Sequence, residues 1–144
     1  MVYLITLFNK QKNNLLQYKN IDKVKSVGYS GNLNSNLFDL NPVEEVIIKY
    51  PDLKFYFIGP FNNQSDVYNK LKQYPNCYFI GKLDELPLIK KLNEMDLLIY
   101  NYKPDNKIYY ADNSHKILEY LSTGKIILGS NLLAYQNSDL VIQD

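Results

Sequence analysis

The chain contains no arginine; all 16 of its basic residues are lysine. A site that depends on the rigid, bidentate guanidinium fork cannot be built from this chain alone. It has one cysteine, Cys77, and one histidine, His115. That excludes an internal disulfide and a cysteine zinc cluster, and the two make only a weak case for a nucleophile and its base. Cys77 sits in an apolar run and reads as a buried structural thiol. Neither sign of charge is in excess: 16 basic residues face 15 acidic ones, for a net charge of +1. The electrostatic footprint of a nucleic-acid binder or a membrane-surface protein is missing. Long apolar runs are missing too. The stretch V-Y-L-I-T-L-F (2–8) is too short to span a bilayer and has no small-residue cleavage site after it, so the expected compartment is the cytoplasm.

Several catalytic signatures are also absent. Without G-x-S-x-G there is no nucleophile elbow, and without G-x-x-x-x-G-K-[ST] there is no P-loop. The tail-like S-T-G-K (122–125) ends a helix rather than beginning one. Gly28 and Gly31 are spaced wrongly for G-x-G-x-x-G, and no D-x-D is available to hold a metal-bound diphosphate. No metal site and no cofactor are expected.

What remains is a chain of 144 residues, 46% hydrophobic and 22% charged, which suits one domain with a full core. Residues 1–24 are expected to be an N-terminal extension or linker remnant. Apolar runs at 25–30, 53–59, 76–81, 96–102, 125–129 and 139–143 read as strands. Helical patterns fall between them at 41–50, 65–74, 84–95 and 112–123. In the first of these, Asn41 is expected as N-cap, Pro42 at the first helical position and Glu44 as the capping-box partner. Val43, Val46, Ile47 and Tyr50 would form its buried face. The strands are continuous apolar runs rather than alternating ones, as in a parallel sheet covered on both faces. The expected fold is α/β: a doubly wound, Rossmann-like, mostly parallel sheet of about six strands. Ligands of such sheets bind at the carboxyl ends of the strands, where Gly31, Gly59 and Gly81 fall.

The segment D-N-S-H-K-I-L-E-Y-L-S-T-G-K (112–125) carries the densest chemistry. Asp112, Asn113 and Ser114 are N-cap candidates, and Gly124 is a helix stop. Helical spacing puts Ile117, Leu118, Tyr120 and Leu121 on one side, and His115, Lys116 and Glu119 on the other. The plain interpretation of the second face is a solvated surface with a Lys–Glu pair. The functional one is an anion site at the helix N-terminus, with Lys116 and Ser114 added and Glu119 one turn deeper to accept from a diol. An anion beside a diol is what a nucleoside diphosphate presents.

H-K-I-L-E-Y-L-S-T-G-K-I-I (115–127) resembles the donor-site motif of GT-B glycosyltransferases. The bacterial retaining group 1 family of that fold usually shows S-x-K-x-x-E-Y-L-x-x-G-K-P-[IV]. V-G-Y-S-G-N-L (27–33) is similar to the first strand and glycine loop of the C-terminal domain. V-E-E-V-I-I-K-Y-P-D-L-K-F-Y-F-I-G-P (43–60) is similar to its next helix and strand. N-C-Y-F-I-G-K-L-D-E-L-P (76–87) resembles the base-binding loop, and E-M-D-L-L-I-Y-N-Y (94–102) the strand before the donor loop. The resemblance implies that residues 25–144 are one half of a GT-B fold, a nucleotide-sugar-binding domain shortened at its C-terminus. It implies a metal-independent glycosyltransferase taking a sugar from a nucleotide-sugar, commonly UDP-linked, in glycan or cell-surface polysaccharide synthesis. By resemblance Glu119 would bind the ribose hydroxyls. Ser114, His115 and Lys116 would meet the diphosphate, with Gly31 and Asn32 approaching from the first loop. Gly81, Lys82 and Leu83 would frame the base, Leu86 would pack on it, and Asp112 would lie near the sugar.

The chain departs from the family pattern at Ala111, where relatives carry an acid, and at Asn32, in a loop where many carry an arginine. Ile126 replaces the usual proline. A GT-B enzyme has a second, N-terminal domain with the acceptor site, so transfer would need that domain or a partner subunit. Any peripheral membrane association would come through that missing half, and an uncovered docking face leaves room for self-association. The catalytic residues cannot be named from this chain. Two other interpretations stay open: a non-catalytic binding domain of the same fold with a decayed donor site, and an unrelated flavodoxin-like domain. Strand order 3-2-1-4-5-6 against 2-1-3-4-5 separates the last from the others.

Overall fold

The structure, a computed structural model, describes residues 24–103, 115–129 and 141–142. The strands are β1 (Ser26–Ser30), β2 (Lys54–Ile58), β3 (Cys77–Gly81), β4 (Leu97–Tyr100), β5 (Ile126–Gly129) and β6 (Val141–Ile142). The helices are α1 (Leu40–Lys49), α2 (Asp66–Leu71), α3 (Glu85–Asn93) and α4 (His115–Ser122). The strands form one sheet in the order β3-β2-β1-β4-β5-β6, and each pairing is parallel. This is the doubly wound order with its switch between β1 and β4, and it removes the flavodoxin-like alternative. No helix among the described residues is long and apolar enough to cross a membrane.

Successive residues of a strand face opposite sides of the sheet, and here both sides are apolar. Val27, Tyr29, Phe55, Phe57, Leu97 and Ile99 pack on one side with Val43, Val46 and Ile47 of α1 and Val67 and Leu71 of α2. Ile58, Leu98, Tyr100 and Ile127 pack on the other with Leu92 of α3 and Ile117 and Tyr120 of α4. Cover on both faces therefore holds for the central strands. It fails at β3, whose burial alternates and where Tyr78 and Ile80 are partly exposed. Among the described residues β3 is an edge strand, paired with β2 alone, so its side chains are flanked from one side. Val24, expected within the linker, packs against the first core; residues 1–23 lie outside the described ones.

The start of α1 differs from expectation. Its N-cap is Asp39, with no side-chain capping bond, and the helix begins at Leu40 rather than Pro42. Pro42 is tolerated at the third helical position because the first four N–H groups have no partner within the helix. Glu44 does not close a capping box: it accepts from the Tyr74 hydroxyl at 2.6 Å and pairs with Lys70 at 3.0 Å, which ties α1 to α2. The backbone of Asp39 is held instead by Asn101, through Asp39 N–H to the Asn101 carbonyl at 3.2 Å and Asn101 Nδ2 to the Asp39 carbonyl at 2.7 Å.

α2 is capped by a buried serine. Ser65 Oγ accepts from Tyr68 N–H at 3.1 Å and donates to the Leu33 carbonyl at 2.5 Å. One hydroxyl thus caps a helix and anchors the loop after β1. Ser65→Ala removes both bonds and is expected to lower unfolding free energy by about 1–2 kcal/mol, measured as a shifted urea midpoint at unchanged m-value. An unchanged midpoint would mean that the loop does not depend on this bond.

Candidate functional site

The loops that leave β1, β2 and β3 are stacked along the carboxyl edge of the sheet. Gly31 N–H donates to the Ile58 carbonyl at 2.9 Å, and Gly59 N–H donates to the Gly81 carbonyl at 2.8 Å. Gly59 adopts φ 147° and Gly81 φ 83°, backbone conformations that favour glycine. Gly31 is needed for another reason, close approach. A Cβ there would lie 2.5 Å from both Lys116 Nζ and the Tyr29 hydroxyl. Asn32 makes a local turn, its Oδ1 accepting from Asn34 N–H at 3.0 Å, and Leu33 is buried beneath it.

α4 is fixed against this edge by its own apolar residues. Ile117 and Tyr120 are fully buried, and the Tyr120 hydroxyl accepts from Ser30 N–H at 2.7 Å, at the end of β1. The helix closes at Gly124, with φ 67° and its N–H donating to the Leu121 carbonyl. With Tyr120 locked inward, Lys116 reaches the glycine loop. Its Nζ donates to the Tyr102 hydroxyl at 2.6 Å and sits 5.4 Å from the ring centroids of both Tyr29 and Tyr102. Burial pulls its pKa from 10.5 down to about 8, with the Glu119 carboxylate opposing. Lys116 is thus no part of a solvated surface. The ion pairs among the described residues, Lys70–Glu44 and Lys91–Glu94, do not include it.

One turn on, α4 borders an open cleft of about 700 Å³ between α3 and α4. Leu118, Glu119 and Ser122 line one wall; Leu83 of the β3–α3 loop, with Glu85, Leu88 and Ile89 of α3, lines the other. Leu118 was expected on the buried side of α4, yet it is 54% exposed and belongs to the cleft wall. Its neighbours Ile117, Tyr120 and Leu121 fill the space over the sheet, and the helix rotation that places them turns Leu118 outward.

The expected site residues therefore fall into groups. Gly31 and Lys116 touch, beside Asn32. Leu83 and Glu119 face each other across the cleft. Gly81 and Lys82 lead into Leu83 without lining the cleft, and Leu86 is 82% exposed, outside it. Leu88 and Ile89, one turn along α3, supply the apolar wall instead. Asp112, Ser114 and Ala111 lie outside the described residues. His115 opens α4, and its side chain lies outside them as well. Sequence reasoning missed Tyr29, Tyr102, Glu85 and Ser122. Tyr102 is 14 residues from Lys116 along the chain, and no spacing rule links two such positions across a loop.

No family model matches the chain. TuaH of Bacillus subtilis (strain 168), named for a glycosyltransferase role in teichuronic acid biosynthesis, is 28% identical over 109 residues, covering 74% of this chain and 26% of TuaH. The chain thus spans about a quarter of the length of the curated relative it matches. Among solved structures, Anabaena HepE in complex with UDP and glucose superposes with a TM-score of 0.61 at 13% identity, over 94% of this chain and 38% of that one. The UDP-GlcNAc 2-epimerase of Neisseria meningitidis, bound to UDP-GlcNAc, gives 0.51 at 16% identity, over 88% and 34%. The glycosyltransferase GlyE of Streptococcus pneumoniae gives 0.51 at 14% identity, over 90% and 32%. At these identities the solved structures speak for fold, and with the curated relative they bear out the sequence resemblance: the chain has the fold of the C-terminal, Rossmann-like half of a GT-B glycosyltransferase.

Proposed function

We propose that residues 25–144 form the donor-binding domain of a nucleotide-sugar-dependent glycosyltransferase acting in cell-surface polysaccharide synthesis. UDP would be the nucleotide carrier. The observation that carries this reading is the way α4 serves two adjacent places. Lys116 holds a cation against the glycine loop, and Glu119 presents a carboxylate to the cleft beside Leu83. Residues three apart on a helix have Cβ atoms about 5–6 Å apart. A nucleoside diphosphate needs that arrangement, with its anion one short linkage from its ribose diol. Lys116 and Gly31 would take the diphosphate, Glu119 the diol, and the cleft between Leu83 and Leu118 the base. The side chains of Asn32, Lys82 and Leu86 would contribute less, being exposed.

Support from relatives is of two kinds. TuaH is named for teichuronic acid biosynthesis, and HepE is described in complex with UDP and glucose. The epimerase of the same fold also holds a UDP-sugar, so a nucleotide-sugar site is common ground and transfer is the further step. Transfer would need an acceptor-binding partner, the N-terminal domain of a GT-B pair. No metal or cofactor is assigned a role, and the reaction would run in the cytoplasm.

Calorimetric titration tests this reading. Saturable binding of UDP is expected, with GDP and ADP weaker. Glu119→Ala should weaken UDP at least about tenfold, the loss of charge-assisted bonds to two hydroxyls, with the unfolding free energy within about 0.5 kcal/mol of wild type. Equal affinity in variant and wild type would return Glu119 to the role of a surface residue. Absence of binding to any nucleotide by the folded chain would favour a decayed site in a non-catalytic domain.

A further inference from the structure

Most lysine ammonium groups that help build a protein interior are neutralised by a carboxylate. Among the described residues Lys116 forms no ion pair, and the Glu119 carboxylate acts on it without pairing. Its described neighbours are the Tyr102 hydroxyl at 2.6 Å and the faces of two tyrosine rings at 5.4 Å. Ring faces attract a cation through their quadrupole and a neutral hydroxyl through its lone pairs, and neither cancels the charge. The rings are themselves fixed. Tyr29 is 2% exposed and packs edge-on against Phe38 at 4.5 Å. Tyr102 packs edge-on against Tyr100 at 4.7 Å, and its backbone bridges Phe38. Lys103 N–H, the next residue, donates to the Leu37 carbonyl at 2.8 Å.

We propose that Tyr102, supported by Tyr29, is a positioning residue for Lys116: it holds the ammonium over Gly31 while bringing no countercharge of its own, so that the ammonium stays available to an anionic ligand. The ligand class rests on the reading above, a nucleoside diphosphate; the positioning rests on the geometry alone. Among the described residues, the groups facing Lys116 are Tyr29 from β1, Tyr102 from the segment after β4, and Glu119 from its own helix, with Tyr100 and Tyr120 behind the tyrosines. Burial pushes Tyr102 up to about 12 and Tyr29 well above 10, so both stay neutral through the range where Lys116 titrates. The ammonium is charged below about 8, so affinity for an anion is full on the acid side and declines as pH rises through that value. The Tyr102 hydroxyl accepts a bond that the charged amine donates best, so removing it lowers the midpoint further.

Two readouts on wild type and Tyr102→Phe test this. The first is the titration of the Lys116 side-chain ε carbon by NMR in the nucleotide-free protein; the second is UDP affinity between pH 6.5 and 8.5. Wild type should titrate near 8 and lose affinity about fourfold between pH 7 and 8.5, as a single group of that pKa requires. Tyr102→Phe should move the midpoint down by about half a unit or more and shift the affinity profile with it. An unmoved Lys116 midpoint in a folded Tyr102→Phe variant overturns the proposal. A moved midpoint in a protein that binds no nucleotide supports the positioning role and overturns the donor-site reading instead.

Discussion

A Gly59→Ala variant is expected to lose about 3 kcal/mol or more of stability. Two independent costs combine. The φ of 147° is one that side-chain-bearing residues rarely adopt, a strain of about 1–3 kcal/mol. A Cβ on Gly59 would also drive into the carbonyl group of Gly31, and backbone, unlike a flexible side chain, cannot step aside cheaply. Because Gly31 lies against Lys116, the same collision should displace the glycine loop, so nucleotide affinity should fall with stability. Gly81→Ala is the internal control. It shares a positive φ, 83°, but its Cβ would meet open space, so its cost should be about 1–2 kcal/mol. Urea midpoints for the two variants measure the difference; equal losses would show that the contact between the first two loops carries no weight.

Lys116→Met is expected to make the protein more stable at pH 7 while removing UDP binding. The folded chain holds this amine at about 8 rather than 10.5, which corresponds to about 3 kcal/mol spent on keeping it charged in a partly dry place. Partial exposure and the lost hydroxyl and ring contacts reduce the gain from its removal to about 1–2 kcal/mol. A thioether also packs well against aromatic rings. The sign with pH follows from the depressed pKa. The penalty is fully present below about 8, where the amine is charged in both folded and unfolded chains. It fades as pH rises toward 10.5, because the folded amine loses its proton first. The stability gap between variant and wild type should therefore narrow from pH 7 to pH 10, measured by urea denaturation at each. A variant less stable than wild type at pH 7 would show that the two tyrosines offset the burial in full. A site kept at a cost in stability is what a binding role for Lys116 entails.

The fold was legible because its information is local. Apolar runs of strand length, four of them ending at or just before a glycine, place all six strands, and continuous hydrophobicity in β1, β2 and β4 signals cover on both faces. The parallel order follows from the alternation of strands with helices. Boundaries shifted where tertiary bonds decided them: Asn101 fixes the start of α1, and Glu44 serves Tyr74 and Lys70 instead of a cap. The pairing of Gly31 with Lys116 and of Leu83 with Glu119 was reached through the motif resemblance, whose blocks lie far apart in the chain. The tyrosines around Lys116 were not legible. Tyr29 sits in a strand like any core aromatic, and Tyr102 follows a strand end that carries no motif. Their convergence depends on β1 and β4 being neighbours at the switch point and on Tyr120 setting the rotation of α4.

The central claim is that α4, the glycine loop and the β3–α3 loop bind one nucleotide together. Backbone and side-chain NMR shifts recorded as UDP is added test it most directly. The account predicts saturable changes at Gly31, Leu83, Lys116 and Glu119 that share one dissociation constant, with the amides of α1 and α2 unmoved. Saturable changes confined to other surfaces, or none at Lys116 and Glu119 at saturating UDP, would contradict it.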